Sequence, residues 1–320
     1  MIKKIILTVT LCVGVNAFSL ETDNFLAETA NFYSGTEKVN TFINDKIKSY
    51  LELNKESLKR RSCNTVRDKA LRSFRGIIIH DIEEFIDTKL DVPFIYPDKN
   101  LSKSDYYEKS IYNDSLIDVL RMVRLSRSIM IGDIVIGSDK FSHFISTGVR
   151  YFNTYQKYLR KGYSKADSTR QAIDYGVFTE KYFLGRLGSK VLSFADLEAN
   201  YQGLIFNIKF CEGDNSYLYK SEKGWELRRE VDVEDYVNPY WSEVFNPSYF
   251  FMGRFKSVKR NIENNYCNGI DDQQLRDRIE YYSSFASESF SVKYLEHLVG
   301  LNSLPDRKDQ IYGLDCIYKK

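Results

Sequence analysis

His143, one of only three histidines in the chain, follows Asp139 by four residues in the stretch SDKFSHF at residues 138–144. Side chains four residues apart share one face of a helix, so the Asp139 carboxylate could hold one ring nitrogen and fix the tautomer. Asp139 could equally do no more than stabilise the positive end of the helix. The spacing therefore indicates either an oriented acid–base histidine or a helix start that favours a carboxylate.

Glu180 interrupts an otherwise apolar stripe of helical spacing. The other members of this stripe are Ile173, Val177, Leu184 and Leu187. A carboxyl group on such a stripe loses hydration, which disfavours its charged form and raises its pKa. A glutamic acid that keeps its proton near neutral pH suits general-acid catalysis. The alternative is a buried glutamate paired with an arginine such as Arg150 or Arg186.

Asp196 and Asn200 stand four residues apart in SFADLEANYQG, residues 193–203. Asp196 also follows Ser193 at the spacing of a capping box, which would explain it without any catalytic role. Asn200 is a weak helix former at a mid-helix position. Gly203 costs a helix about 1 kcal/mol relative to alanine, so another backbone is expected to approach closely there. The candidate catalytic residues are His143, Glu180, Asp196, Asp139 and Asn200.

Three predicted helices carry these residues, and we name them the first, second and third motif helices. The first begins at Ser138 or Asp139 and ends near residue 159, and the second follows Ser164 and ends near residue 187. The third begins after the N-cap Ser193. On the first motif helix His143 lies opposite the apolar stripe, so its face meets either solvent or a polar cavity, and exposure is the commoner outcome.

The order of these motifs resembles that of small, predicted periplasmic lipoproteins of unknown function. The residues that carry the resemblance are DKxxHF at 139–144, then Glu180, then SxxDLxANxxG at 193–203, and it covers about residues 138–206. The DKxxH opening is also similar, more loosely, to VanZ-like proteins. The resemblance implies a common site at these positions. Phe183 stands where the lipoproteins often have an acidic residue, so a common metal site is not implied.

The N-terminal stretch MIKKIILTVTLCVGVNA is typical of a signal peptide, with two lysines, an apolar run and small residues before Ala17. The apolar run is shorter than the roughly 20 residues that a membrane-spanning helix needs. Cleavage near Ala17 would give a periplasmic or secreted protein. No later stretch of the sequence is long and apolar enough to span a bilayer.

The net charge and the number of cysteines indicate which partners and which cellular compartment to expect. Without Lys3 and Lys4 the 46 basic residues fall to 44 and equal the 44 acidic ones, which argues against a nucleic-acid partner. A cell-envelope glycan or lipid is the expected partner. Four cysteines remain after cleavage, which favours two disulfides in an oxidising compartment, with three possible pairings. These disulfide candidates are Cys63, Cys211, Cys267 and Cys316.

The segment DYVNPYWSEVFNPSYFF, residues 235–251, combines two N-P turn signals with many aromatic residues. Aromatic faces on a turn-rich segment can stack on a sugar ring, although they more often pack a loop against the core. The candidate substrate-binding residues are Tyr240, Trp241, Tyr249 and Arg150.

The sequence predicts a mainly α-helical protein, an irregular helical bundle with a small β-hairpin insertion around Lys223 and Gly224. We divide it into a signal peptide (1–17), an N-terminal helical segment (18–112), a central helical domain with the motifs (113–210) and a C-terminal part (211–320). The first hypothesis is a hydrolase of an envelope polymer such as peptidoglycan. The second is a non-catalytic envelope protein whose polar motif is a packing network. No cofactor is expected; a third hypothesis is a single metal bound by His143, Glu180 and Asp196.

Overall fold

The computed structural model describes residues 21–25, 27–75, 80–113, 125–182, 189–267 and 272–313. The expected signal peptide (1–17), Cys316 and the continuation of the second motif helix toward Leu187 lie outside these residues. Within them helices predominate, and the prediction of a mainly helical protein is confirmed. The α-helices are Thr36–Leu53, Lys55–Leu58, Cys63–Arg72, Asp81–Lys89, Lys103–Lys109, Lys140–Ser142, Gly148–Arg160, Lys165–Thr179, Phe194–Cys211, Met252–Asn261, Asp272–Phe285, Phe290–Gly300 and Lys308–Tyr312. Short 3₁₀ helices are Ala27–Thr29, Val233–Asp235 and Pro239–Trp241.

Small antiparallel sheets lie between the helices. One sheet has the strand order Ile95–Tyr96, Ser128–Ile131 and Ile134–Gly137. Strand Val191–Leu192 pairs with Tyr249–Phe250, and strand Leu218–Ser221 pairs with Gly224–Leu227. The first two sheets were not predicted. They connect the chain immediately before the first and third motif helices to other parts of the molecule, and so help to fix where these helices begin.

The first motif helix runs over residues 140–160 and changes its winding part-way. Lys140–Ser142 and Gly148–Arg160 are α-helical, whereas His143–Thr147 form a π-helix. A π-turn closes i→i+5 hydrogen bonds and therefore rotates the residues before it away from a wheel drawn at 3.6 residues per turn. His143 is buried, so the expectation that its face would be exposed is wrong.

The first and third motif helices cross at a pair of glycines. A Cβ atom on Gly148 would lie only 2.6 Å from the Cα of Gly203, and one on Gly203 would overlap the Phe144 carbonyl oxygen. The close backbone approach expected at Gly203 is confirmed. The second motif helix, Lys165–Thr179, packs on the first in a similar way, because the Tyr151 hydroxyl occupies the space a Cβ atom on Gly176 would need.

Apolar side chains surround the first motif helix. Phe141, Phe144, Ile145 and Val149 belong to one buried cluster that includes helix Thr36–Leu53. Tyr151, Phe152 and Tyr155 belong to a second cluster with the other two motif helices. The N-terminal part of the helix is therefore enclosed by protein, and the polar side chains that it carries cannot rely on water for hydrogen bonds.

Residues 21–25 and 27–29, which we call the N-terminal segment, also lie in the interior. Thr22 forms a parallel bridge with Ser126, and the Ser128 hydroxyl donates to Asn24 Oδ1 at 2.8 Å. Every described side chain from residue 21 to residue 28 is buried. A polar segment without helical or strand periodicity thus forms part of the core.

A disulfide joins Cys63 and Cys211, 148 residues apart in the sequence, and so ties helix Cys63–Arg72 to the end of the third motif helix. Cys267 is disulfide-bonded as well. No helix among the described residues combines the length and the apolar character needed to cross a membrane.

Candidate functional site

The site brings together candidate residues from separate helices. His143 Nε2 on the first motif helix lies 3.2 Å from Asp196 Oδ2 on the third, and His143 Nδ1 lies 3.0 Å from Asn200 Oδ1. All three side chains are buried. The i,i+4 spacing of Asp196 and Asn200 places both on the helix face that meets the imidazole.

Both ring nitrogens of His143 face oxygen atoms. A protonated ring can donate to both, whereas a neutral ring requires the Asn200 amide to present its nitrogen to one of them. In either state both nitrogens are engaged. His143 therefore orients Asp196 and Asn200 in this geometry and does not offer a nitrogen to a substrate proton.

Lys140 is the centre of charge in the site, and its side chain is 0% exposed. Its ammonium lies 2.6 Å from Asp139 Oδ2, 2.7 Å from Asp196 Oδ1 and 2.7 Å from Glu243 Oε1. Burial alone would lower the pKa of Lys140, but Asp139, Asp196 and Glu243 outweigh it and hold that pKa well above its ordinary value. The ammonium thus stays charged and links three carboxyl groups.

Asp139 has partners other than the one its spacing suggested. Its Oδ1 accepts a hydrogen bond from Thr22 Oγ1 at 2.5 Å, and its Oδ2 contacts Lys140. The carboxylate that contacts His143 Nε2 is that of Asp196. Asp139 therefore contributes to the site by holding Lys140 in place.

Glu180 and Asp196 have pKa values shifted in opposite directions. Burial, then the charges of Asp196 and Glu21, raise the pKa of Glu180 well above its ordinary value. Burial alone would also raise the pKa of Asp196, but His143 and Lys140 outweigh it and that pKa falls below its ordinary value. There is therefore a range of pH in which Glu180 keeps its proton while Asp196 is ionised.

Ser193 connects three of the acids at the start of the third motif helix. Its hydroxyl accepts the Asp196 N–H at 3.1 Å and donates to Glu243 Oε1 at 3.3 Å. Its backbone N–H donates to the Glu180 carboxyl group. Ser193 acts as the N-cap that the sequence predicts, yet the Asp196 carboxylate also binds Lys140 and His143, so capping alone does not account for Asp196.

Sequence reasoning missed three members of the site. Lys140 lies inside the DKxxHF motif, but neither its residue type nor its spacing predicts a role. Glu243 lies in the aromatic segment, and burial raises its pKa to about 7 even though Lys140 opposes the shift. Glu21 comes before the first helix, and its Oε2 is buried with no hydrogen-bond partner among the described residues. No periodic pattern marks Glu21 or Glu243, so the sequence alone held no signal for either.

We call these seven residues the acidic site. They are Glu21, Asp139, Lys140, His143, Glu180, Asp196 and Glu243, and each is at most 6% exposed.

The carboxylates that could bind a metal already contact the positively charged Lys140 ammonium. In the described part of the chain, the one group with donor atoms close enough for a metal is Asp139, His143 and Asp196, whose atoms lie within 4.8 Å of one another. The hypothesis had named Glu180 in place of Asp139. The Lys140 ammonium contacts both carboxylates of this group. We therefore assign these carboxylates to Lys140 and not to a metal.

The candidate substrate-binding residues differ in how far their side chains are exposed to solvent. Trp241 is fully buried, with its ring centroid 6.2 Å from that of Phe141 and 5.6 Å from that of Phe144, so no ring face is open to a sugar. Tyr240 and Tyr249 are half-buried, as is Arg150 on the first motif helix. The aromatic segment thus packs Trp241 into the core and supplies Glu243 to the acidic site.

Comparisons with protein-family models, with curated proteins and with solved structures find no match for this chain. A function for this protein is therefore inferred from the contacts and the pKa shifts of the acidic site.

Proposed function

We propose that this protein is an exported hydrolase of the cell envelope, periplasmic or secreted, in which Glu180 is the general acid and Asp196 the general base. Its scaffold is an irregular helical bundle with a small hairpin. The opposite pKa shifts of Glu180 and Asp196 carry the proposal. Two carboxyl groups whose surroundings push their pKa values apart can supply a proton and remove one at the same pH.

In this mechanism Glu180 donates its proton to the leaving group, while the ionised Asp196 accepts a proton from the attacking water. The accepting atom is Oδ1, which contacts the Lys140 ammonium but has no hydrogen-bond partner among the described residues. His143 and Lys140 keep Asp196 ionised, and Asn200 completes the orientation of the imidazole. An envelope polymer such as peptidoglycan is the proposed substrate. Because every member of the acidic site is buried, the polymer can reach it only when the covering residues move aside.

The energetic cost of the acidic site supports a chemical role. Replacing a buried ion-pair network by apolar residues of similar volume is often neutral or stabilising, so five buried acids around one ammonium are a poor way to gain stability. Among the described residues, Glu21 Oε2 adds a buried acceptor without a hydrogen-bond partner. The π-helix at His143–Thr147 points the same way, because such stretches are rare and frequently occur at functional sites.

A second candidate is a non-catalytic envelope protein in which these residues form a packing network. Their complete burial favours it. This candidate predicts that Asn200→Ala lowers the melting temperature strongly, since the buried His143 ring would lose the hydrogen bond that Nδ1 makes with Asn200.

The test compares Glu180→Gln with Glu28→Gln, a second buried glutamate outside the acidic site. We expect Glu180→Gln to lower hydrolysis by about 10²–10⁴-fold, the usual contribution of a general acid, with little change in melting temperature. Glu28→Gln should keep its activity. The substrates are purified peptidoglycan, envelope lipids and peptides. Wild-type protein without turnover on all three classes would remove the hydrolase proposal.

A further inference from the structure

We propose that Thr22 is a positioning residue of the acidic site: it holds Asp139 so that the Lys140 ammonium stays shared between Asp139, Asp196 and Glu243, and Asp196 stays ionised. The role in catalysis rests on the proposed function above. The effect of Thr22 on Asp196 does not, because it follows from the contacts alone.

The contact between Thr22 and Asp139 is built into the fold. The Thr22 hydroxyl donates to Asp139 Oδ1 at 2.5 Å, and both side chains are buried. A Cβ atom on Gly137 would overlap both Asp139 Oδ1 and Thr22 Oγ1, so the last residue of strand Ile134–Gly137 must be glycine for this hydrogen bond to form. The bridge between Thr22 and Ser126 holds the N-terminal segment in register with the contact.

Asp139 uses its two oxygens on different partners, and this division transmits the effect of Thr22. With Oδ1 occupied by the hydroxyl, Oδ2 shares Lys140 with Asp196 and Glu243 at nearly equal distances of 2.6–2.7 Å. Without the hydroxyl, a buried and less satisfied Asp139 would draw the ammonium toward itself. Asp196 would then lose part of the charge that keeps it ionised.

Several other charged or titratable groups act on Asp196, and all of them stay in place in the variants below. They are His143 and Tyr151 on the first motif helix, Glu180 after the second, Glu21 in the N-terminal segment and Glu243 in the aromatic segment. The Thr22 hydroxyl donates to Asp139, so we expect a shift caused by Thr22 to pass through Asp139 and Lys140.

The experiment titrates Asp196 directly, by carbon-13 NMR of labelled aspartate carboxyl groups in the full chain, with Asp196→Asn to assign the signal. Thr22→Val keeps the side-chain shape and removes the donor. We expect it to raise the Asp196 titration midpoint by up to about one pH unit, because a neighbouring cation lowers a carboxyl pKa by about 1–3 units and Asp196 would lose part of that effect. Thr22→Ser, which restores the hydroxyl, should return the midpoint to the wild-type value.

The matched control is Ser128→Ala, which removes another buried hydroxyl bonded to the N-terminal segment, at Asn24. It should lower the melting temperature without moving the Asp196 midpoint. If Thr22→Val fails to fold, Thr22→Cys, a weaker donor, should give a smaller shift in the same direction. A Thr22→Val variant that melts earlier but titrates like wild type has only a structural role, and the proposal is then overturned.

The same variants separate this inference from the proposed function. In an active enzyme, the acidic limb of the kcat/KM profile should move to higher pH in Thr22→Val together with the NMR midpoint. A moved midpoint in a protein without hydrolytic activity would refute the hydrolase and support the positioning role. If the enzyme is active and the Asp196 midpoint does not move, the hydrolase proposal is supported and the positioning role of Thr22 is refuted.

Discussion

Two glutamates of the N-terminal segment lie seven residues apart and end in contrasting surroundings. Glu21 joins the acidic site, where its Oε2 has no hydrogen-bond partner among the described residues. Glu28 accepts from the Ser242 hydroxyl at 2.8 Å and from the Tyr282 hydroxyl at 3.0 Å, and Arg278 lies 3.9 Å away. We call Glu28, Ser242, Tyr282 and Arg278 the Glu28 cluster. Both glutamates are buried, so burial does not distinguish the two regions.

A raised pKa does not distinguish them either. Burial raises the pKa of Glu28 to about 7 and that of Glu21 well above its ordinary value. The difference lies in the neighbours. The Glu28 cluster surrounds one acid with donors and satisfies both of its oxygens, which is the usual condition of a buried polar group. The acidic site places acids against one another and shifts their pKa values in opposite directions, which costs stability and suits proton transfer.

The largest expected difference between the two regions comes from removing their cations. Lys140→Met leaves three buried carboxyl groups without their shared ammonium and should lower the free energy of unfolding by about 3–5 kcal/mol. Arg278→Met should cost only about 1 kcal/mol or less, because Arg278 is partly exposed and Glu28 keeps two hydroxyl donors.

Urea unfolding at pH 7 measures both cation variants. If both variants lose the same free energy of unfolding, the acidic site and the Glu28 cluster depend equally on their cations. The proposed difference between the two regions would then be wrong.

The second prediction concerns the Glu28 cluster and the way in which the free energy of unfolding depends on pH. The folded pKa of Glu28, about 7, lies above the ordinary value of 4.5. The folded state therefore keeps a proton that the unfolded chain loses above about pH 4.5, and stability falls as the pH rises toward 7. Glutamine cannot titrate, so Glu28→Gln should remove up to about 3 kcal/mol of this fall.

Urea unfolding of wild type and Glu28→Gln at pH 5 and pH 8 provides the measurement. Burial also raises the pKa of Asp23 to about 6 and that of Glu243 to about 7. The variant should therefore keep a reduced slope of the same sign. Parallel curves for the two proteins would mean that Glu28 is ionised in the folded state over this whole range.

The helical fold follows from patterns that the sequence displays, whereas the contact of His143 with Asp196 and Asn200 does not, because the i,i+4 spacing pairs the imidazole with Asp139. Apolar spacing predicts the helices, and polar residues four apart on the third motif helix predict a face that meets one partner. The burial of His143 did not follow, because a π-helix has no recognised spacing in the sequence and displaces the wheel. Glu21 and Thr22 were also hidden, since the N-terminal segment owes its burial to tertiary contacts.

The short strands show the same limit in the fold. Ser128–Ile131 and Ile134–Gly137 are two short and mainly apolar runs on either side of a turn at Gly132, whose φ is 56°. A short apolar run of this kind reads equally well as a buried helix segment. Strands Val191–Leu192 and Tyr249–Phe250 have two residues each and pair across a long separation, so only the packed structure defines them.

The variant with the smallest expected effect tests whether the distance between the first and third motif helices affects the acidic site and not the Glu28 cluster. In Gly203→Ala the added methyl group overlaps the Phe144 carbonyl oxygen and would push the first and third motif helices apart. Overpacking of this kind costs about 1–3 kcal/mol, and it should weaken the contacts of His143 with Asp196 and Asn200. The Glu28 cluster takes no residue from either helix, so Glu28→Gln should remove as much of the pH slope of unfolding in the Gly203→Ala background as it does in wild type.

Gly253→Ala is the matched control, because a Cβ atom there meets open space near the start of helix Met252–Asn261. Alanine favours a helix over glycine, so this variant should be as stable as wild type or gain up to about 1 kcal/mol. Urea unfolding gives the stabilities, and imidazole NMR of His143 reports its contacts. A His143 spectrum unchanged in Gly203→Ala would mean that the acidic site tolerates a change in helix spacing, and that its geometry depends on Lys140 and its carboxylates more than on the glycine crossing.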